Sequence, residues 1–394
     1  MTVTTDRTPT RFREADCRVE DLVALTARRT DVADFPHAAR VERDVLVYEA
    51  TALRQALSEG AREDIQDELV DALTDGPGVV VLAGAFDDAA VLDRATAAYD
   101  AIIAEEKATG AGGNDHFGTG ANDRLWNALE KLAMRDPETF VDYFSNDLLA
   151  LVSEAWLGPA YQVTSHINVV RPGGVAQDPH RDYHLGFLSN EVAATYPAHV
   201  HLLSPVLTLQ GAVAHSDMPV ESGPTMYLPY SHRYAPGYLA WRLPEFRDHF
   251  RAHHVQLPLR RGDAVFFNPA LLHGAGSNVS ADVQRMANLL QVSSAFGRSM
   301  ESVDRTRTTK AAYPVLRARR RAGNDPAALS RALACAAEGY PFPTNLDLDA
   351  NIGGLTPPSQ VELVEQALLE DWDVDRTHDA LDAYDARHRT HAVD

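Results

Sequence analysis

Hydrophobic positions along this chain change their period twice. From about Arg18 to Leu73 they recur at three- and four-residue steps, as in Ile65, Leu69, Val70 and Leu73, which predicts helices separated by turns. Thr74-Asp75-Gly76-Pro77-Gly78 stops the last of them. Residues 78–83 then form a continuous apolar run of strand length. Asp87 or Asp88 is placed to cap a helix running to about Lys107, with Leu92, Ala95, Tyr99, Ile102 and Ile103 on one face. A polar, glycine-rich loop from Thr109 to Asp123 leads to a helical stretch beginning at Trp126. A short helix follows, capped by Ser145 or Asn146 and ended after Trp156 by Gly158-Pro159.

Between about Tyr161 and Phe296 the character changes to short β-branched and apolar runs broken by Pro, Gly, Asn and Asp. The clearest are 162–170, 206–214, 263–267 and 285–295. Many short strands at this spacing predict an antiparallel barrel or two-sheet jelly roll. From about Glu301 the helical period returns, including 326–337 and 358–372, with a proline-rich turn at Tyr340-Pro341-Phe342-Pro343. No internal repeat is visible. The expected organisation is a mixed α and β chain: an N-terminal helical extension (1–77), a β core (78–298) and a C-terminal helical extension (299–394).

Composition narrows the partners. The 36 basic residues against 56 acidic ones give a formal charge of −20, which argues against a nucleic-acid or anionic-membrane binder and leaves small molecules. The two cysteines, Cys17 and Cys335, suggest neither a disulfide framework nor a metal site. The N-terminus lacks the apolar core of a signal peptide, and no stretch is apolar enough to span a bilayer, so a cytoplasmic protein is expected. Oligomeric state is left open.

Chemistry concentrates in Asp178-Pro179-His180-Arg181-Asp182-Tyr183-His184. On an extended strand His180 and Asp182 leave the same face, and an imidazole with a carboxylate is two thirds of a non-haem Fe(II) ligand set. His273 follows the apolar run ending in Leu271-Leu272 and precedes Gly274, where a strand end would hold it beside the first two. Twelve residues on, Arg285 leads an alternating strand. An inward-pointing arginine there needs an anion, and its planar fork suits a carboxylate.

His180-Arg181-Asp182, then His273, then Arg285 resembles the Fe(II)/2-oxoglutarate oxygenases, specifically the phytanoyl-CoA dioxygenase family. Glu221-Ser222-Gly223-Pro224-Thr225 with Leu228-Pro229-Tyr230-Ser231-His232 is similar to that family's "NGPT…PGSH" stretch. Gly262-Asp263 and His273-Gly274-Ala275-Gly276-Ser277-Asn278 match as well. The resemblance covers about Gly78 to Phe296. It implies a double-stranded β-helix core, Fe(II) held by His180, Asp182 and His273, O2 as oxidant, and Arg285 binding the distal carboxylate of 2-oxoglutarate. It also implies polar residues on the strand before the HxD, where Asn168, with Thr164, is the candidate for the keto-acid end. Some relatives carry a hydroxyl residue two positions after the distal histidine, where this chain has Ala275. Ser277, Gln291 or Thr225 is then needed at that carboxylate. Related halogenases lack the HxD carboxylate, so Asp182 favours hydroxylation, or desaturation or ring chemistry, over halogenation.

Tyr183, His184, His166, Phe117 and Trp126 are the candidate substrate residues, and Asp178 and His184 are read as supporting or substrate-facing groups. His199 and His201 offer a cupin-like HxH, but no glutamate follows at a fitting distance, and ordinary strand or loop histidines are expected. The arginines Arg317, Arg319, Arg320 and Arg321 are read as a solvated helix face in preference to a phosphate grip. The expected function is hydroxylation of an aliphatic C–H bond of a small molecule, with succinate and CO2 as co-products. The competing expectation is a β-barrel metal-binding protein that is non-catalytic or does not use 2-oxoglutarate.

Overall fold

The computed structural model describes residues 9–110, 122–351 and 353–390. Among these, the strands are β1 (Arg40–Glu42), β2 (Val45–Glu49), β3 (Val79–Ala83), β4 (Asp123–Leu125), β5 (Gln162–Val170), β6 (Thr208–Ala214), β7 (Met226–Tyr227), β8 (Ala264–Phe267), β9 (His273–Gly274) and β10 (Arg285–Ser293). The chain divides into two compact units that interleave along the sequence. One holds residues 1–85, 115–122 and 169–287; the other holds 86–114, 123–168 and 288–394.

In the first unit the large sheet runs β1-β2-β3-β8-β6, with the first residues of β10 beside β6. Pairing is antiparallel throughout except for β2 with β3, which run parallel. A parallel pair needs a long crossover, and the helices Ala50–Ser58 and Arg62–Thr74 provide it. Val79, Val80 and Leu82 of β3 are wholly buried, as a central strand requires. A second, small sheet pairs β7 with β9, and His180 bridges to the other edge of β9. The double-stranded β-helix core and the mixed α and β class are as the strand spacing and resemblance predict.

The second unit contains β4, β5 and the remainder of β10, with helices Ala89–Thr109, Ala128–Arg135, Pro137–Phe144, Asp147–Leu157, Arg305–Arg321, Pro326–Ala336, Gln360–Leu369 and Val374–His388. Of the predicted caps, Asp88 accepts from the Ala90 N–H and Asn146 from those of Leu148 and Leu149. The basic run of Arg305–Arg321 is not simply solvated. Arg317 and Arg321 both pair with Asp371, and Arg319 pairs with Asp142 and Glu138.

Four expectations need correction. The stretch 18–73 is not all helical: Val45–Glu49 is a buried strand, too short to break the surrounding helical period visibly. The strand expected from 206 begins at Thr208, because Ser204–Leu207 is a 3-10 turn. Trp126 does not begin a helix; it follows β4, and the helix starts at Ala128. His199 and His201 lie in the helix Ala198–Leu203, and buried His201 donates from Nε2 to the Ala193 carbonyl (3.0 Å).

Candidate metal centre

His180 and His273 are brought face to face by backbone pairing. His180 N–H donates to the His273 carbonyl (2.9 Å) and His273 N–H donates back (3.2 Å). Residues exchanging both bonds across an antiparallel pair project to the same side, and the two imidazoles stand 4.5 Å apart between ring centroids. The other edge of β9 is fixed too: Leu272 N–H donates to Ser231 Oγ (2.8 Å), and Tyr227 is paired with His273. The Ser231-His232 phrase thus holds the segment carrying the distal histidine.

Asp182 completes the cluster. His180 Nε2 lies 3.7 Å from its Oδ1, and His273 Nε2 lies 3.5 Å from its Oδ2. All three ligand atoms fall within 4.8 Å of one another. Two donors each about 2.1 Å from one ion and at right angles stand about 3 Å apart, so small side-chain movements close this set. Each imidazole donates Nδ1–H to a carbonyl two residues earlier: His180 to Asp178 (2.8 Å), His273 to Leu271 (2.9 Å). That fixes the tautomer and leaves both Nε2 lone pairs aimed at the shared point. Gln210 Nε2 donates to Asp182 Oδ2 (2.6 Å).

Burial opposes charge on Asp182. His180, His273 and Gln210 outweigh it and hold the carboxyl well below the usual carboxylate range. Burial also lowers His180 toward its neutral, ligating form, against the pull of Asp182. An anionic carboxylate with two neutral imidazoles is the donor set that non-haem Fe(II) takes.

Arg285 is buried. The bond from His215 N–H to the Met286 carbonyl (2.9 Å) sets the register of β10 against β6. Alternation from that pair puts Arg285 and Ala287 on the face carrying Ala214, Ala212 and Gln210. Gln210 is in turn directly opposite Phe267, whose ring lies 4.7 Å from that of His273. The arginine and the cluster therefore share one interior.

The loop after Asp182 is strained. Tyr183 (φ 62°) and His184 (φ 41°) both take positive φ without being glycine, a conformation that concentrates at functional sites. Tyr183 is buried against Phe187, and His184 Nδ1 meets Ser204 Oγ at 3.0 Å. Asp178 points elsewhere, to Arg247 and Arg251 at the surface.

Thr164, His166, Asn168 and Trp126 belong to the second unit. There Thr164 Oγ1 donates to the Gln291 carbonyl (3.2 Å), Asn168 is buried, and His166 stacks on Trp126 at 4.9 Å. Phe117 lies outside the described residues. Ser277 Oγ accepts the Ala176 N–H, and Ala275 gives its own N–H to Gln177. Gln210 escaped the sequence reading. Its signal was a large polar side chain on the alternate face shared with Ala212 and Ala214.

A jelly roll presenting two histidines and an aspartate in an interior that also holds a buried arginine defines a class, the non-haem iron oxygenase. The match of a family model, "Phytanoyl-CoA dioxygenase (PhyH)", over residues 74–287 makes the assignment specific: the chain belongs to that family. It is accordingly an Fe(II)- and 2-oxoglutarate-dependent enzyme that uses O2. A search of curated protein sequences returned no match. Similar solved structures include the α-ketoglutarate-dependent carbocyclase SnoK from nogalamycin biosynthesis (22% identity, 59% of this chain and 86% of that one, TM-score 0.43). The epimerase SnoN from the same biosynthesis is another (21% identity, 60% and 84%, TM-score 0.38). So is AviO1 from Streptomyces viridochromogenes Tue57 (17% identity, 59% and 96%, TM-score 0.42). No helix among the described residues is long and apolar enough to cross a membrane.

Proposed function

We propose that the chain hydroxylates an aliphatic C–H bond of a small molecule, with His180, Asp182 and His273 holding Fe(II) and Arg285 holding the distal carboxylate of 2-oxoglutarate. The observation that carries this reading is the convergence of two Nε2 lone pairs and one carboxylate, each held by a partner on its far side. When bound, Fe(II) and 2-oxoglutarate supply the oxidising power: O2 is consumed, the co-substrate becomes succinate and CO2, and one oxygen atom enters the substrate C–H bond.

The residues do the rest. Backbone carbonyls keep both imidazoles in the ligating tautomer, and Gln210 restrains Asp182 so that Oδ1 faces the same point. Three protein ligands leave positions open for co-substrate and O2. Arg285, buried and charged, orients a dicarboxylate by a bidentate contact. Tyr183 and His184, fixed in an unusual backbone conformation directly after Asp182, are assigned to substrate contact.

The test is incubation of the purified protein with Fe(II) and 2-oxoglutarate under ¹⁸O2. Succinate carrying one labelled oxygen is expected, and no succinate with no bound iron would sink the proposal. With a turned-over substrate, hydroxylation places the second labelled atom in the product. Epimerisation or ring closure, the reactions named for two similar structures, adds none.

A further inference from the structure

The carboxylate end of the co-substrate site raises a question of hydrogen-bond supply. A carboxylate offers about four lone-pair sites, and an arginine fork fills about two. Leaving a buried carboxylate oxygen without a donor is costly. At the position two after His273, Ala275 has no hydroxyl to give.

We infer that the Tyr227 phenol, oriented by Thr225, is the hydroxyl that completes the distal-carboxylate end; this rests on the 2-oxoglutarate reading above. Tyr227 is opposite His273 on β7, and His180 is opposite His273 on the other edge. The three side chains therefore form a row on one face, with strands about 4.8 Å apart. Two members of the row are candidate ligands. The third, Tyr227, is buried on the side of His273 away from His180.

Phe267 of the facing sheet touches both neighbours in that row: its ring is 4.7 Å from His273 and 5.2 Å from Tyr227. Arg285 shares the face of Phe267 and Gln210, and its guanidinium acts electrostatically on the phenol. Thr225, two residues back and so on the same side of the chain, acts on that phenol in the direction of a donated hydrogen bond. With Thr225 donating to the phenolic oxygen, the Tyr227 O–H is left to donate to a carboxylate lying between it and Arg285. Such a bond to a charged acceptor is worth about 1.5–3 kcal/mol, roughly tenfold or more in affinity.

The experiment is anaerobic titration of the Fe(II)-loaded full-length protein with 2-oxoglutarate, followed by its visible charge-transfer absorption. It is repeated with pyruvate, which has the keto-acid end but no distal carboxylate. Tyr227→Phe is expected to weaken 2-oxoglutarate about tenfold and leave pyruvate unchanged, with Fe(II) affinity retained. Thr225→Val is expected to move 2-oxoglutarate affinity in the same direction by a smaller factor, and it serves if Tyr227→Phe fails to fold. Unchanged 2-oxoglutarate affinity in the variants, or an equal loss for pyruvate, overturns the inference alone. Absence of any 2-oxoglutarate binding by the wild-type protein overturns the proposed function and the inference with it.

Discussion

Arg181 and Asp182 are adjacent in sequence and have opposite work. On one side of the loop, His180 and Asp182 keep ligand atoms pointed at a shared point. On the other, the Arg181 guanidinium is buried, gives Nη2 to the carbonyls of Ser231 (2.6 Å) and Tyr234 (3.0 Å), and lies over the Tyr238 ring at 5.3 Å. A Cβ on Gly237 would sit 1.9 Å from its Cζ, so the neighbouring chain is shaped to admit it. Burial lowers its pKa to about 10, so it remains a cation at neutral pH. One face of the loop spends its hydrogen bonds on backbone and fixes position. The other leaves two imidazole Nε2 atoms and a carboxylate oxygen facing one point. Ser231 joins the two, accepting Arg181 on its carbonyl and Leu272 N–H on its hydroxyl.

Substitutions should separate the faces. Asp182→Ala removes the only carboxylate of the cluster, and its loss should exceed the 10–100-fold typical of changing a group behind a metal ligand. Succinate formation is expected to fall below detection, while the urea midpoint moves less than it does in a variant of Arg181. A large stability loss in this variant would mean that the two faces are not separable.

Arg181→Met is the converse. It strands two carbonyls and leaves a partly filled cavity, so about 3–5 kcal/mol of stability is expected to go, read from urea denaturation. Iron affinity measured at low temperature on the protein that remains folded should stay within a few-fold of wild type. A selective loss of iron with normal stability would assign Arg181 to the metal face instead.

These two residues also show what the sequence could reveal. The grouping of His180, Asp182 and His273 was legible because a metal site requires particular residue types, and β5 was legible to its ends because nine residues alternate between turn signals. Arg181 was passed over, since nothing local says that a cation between two ligands will find its partners fifty residues away at Ser231 and Tyr234. Gln210 meets Asp182 only through the register of β6. The strain at Tyr183 and His184 was invisible for another reason: positive φ is announced in sequence by glycine, and neither residue is one. Tyr230 repeats the lesson. It takes φ 67° where the family phrase carries glycine, and its hydroxyl is hydrogen-bonded to that of Thr30 (2.9 Å).

The anchoring face also has a pH dependence. His232, in the segment that Arg181 grips, is half-buried with its Nε2 donating to the Thr74 carbonyl (2.8 Å), and desolvation pushes its pKa down to about 3. His215 is likewise held down to about 3 by burial. Between the ordinary value of 6.5 and about 3 the unfolded chain binds protons that the folded chain refuses. Stability is therefore fully present above pH 6.5 and declines as pH falls through that window, by up to about 1.4 kcal/mol per pH unit for each histidine. Urea denaturation from pH 7 to 4 should show this slope, reduced by one histidine's share in His232→Gln. A slope unchanged by that substitution would remove His232 from the account.

The smallest effect is expected at Asp178, where the comparison can be made finest. Its side chain has the same alternation as His180 and Asp182, so pattern alone makes it a third carboxyl or imidazole on the ligand face. The structure uses its two halves differently. The backbone carbonyl receives the His180 Nδ1–H, and the half-exposed carboxylate pairs with Arg247 (3.5 Å) and Arg251 (3.4 Å). Asp178→Ala removes only the second half. Exposed pairs of this kind are worth about 0–1 kcal/mol, so stability should move by no more than that. Fe(II) affinity should stay within about twofold, because the group that orients His180 is retained. A tenfold loss of Fe(II) on titration would show that the carboxylate, and not the peptide carbonyl, sets the imidazole's position, and the division between an anchoring and a ligating face would then have to be drawn through Asp178 as well.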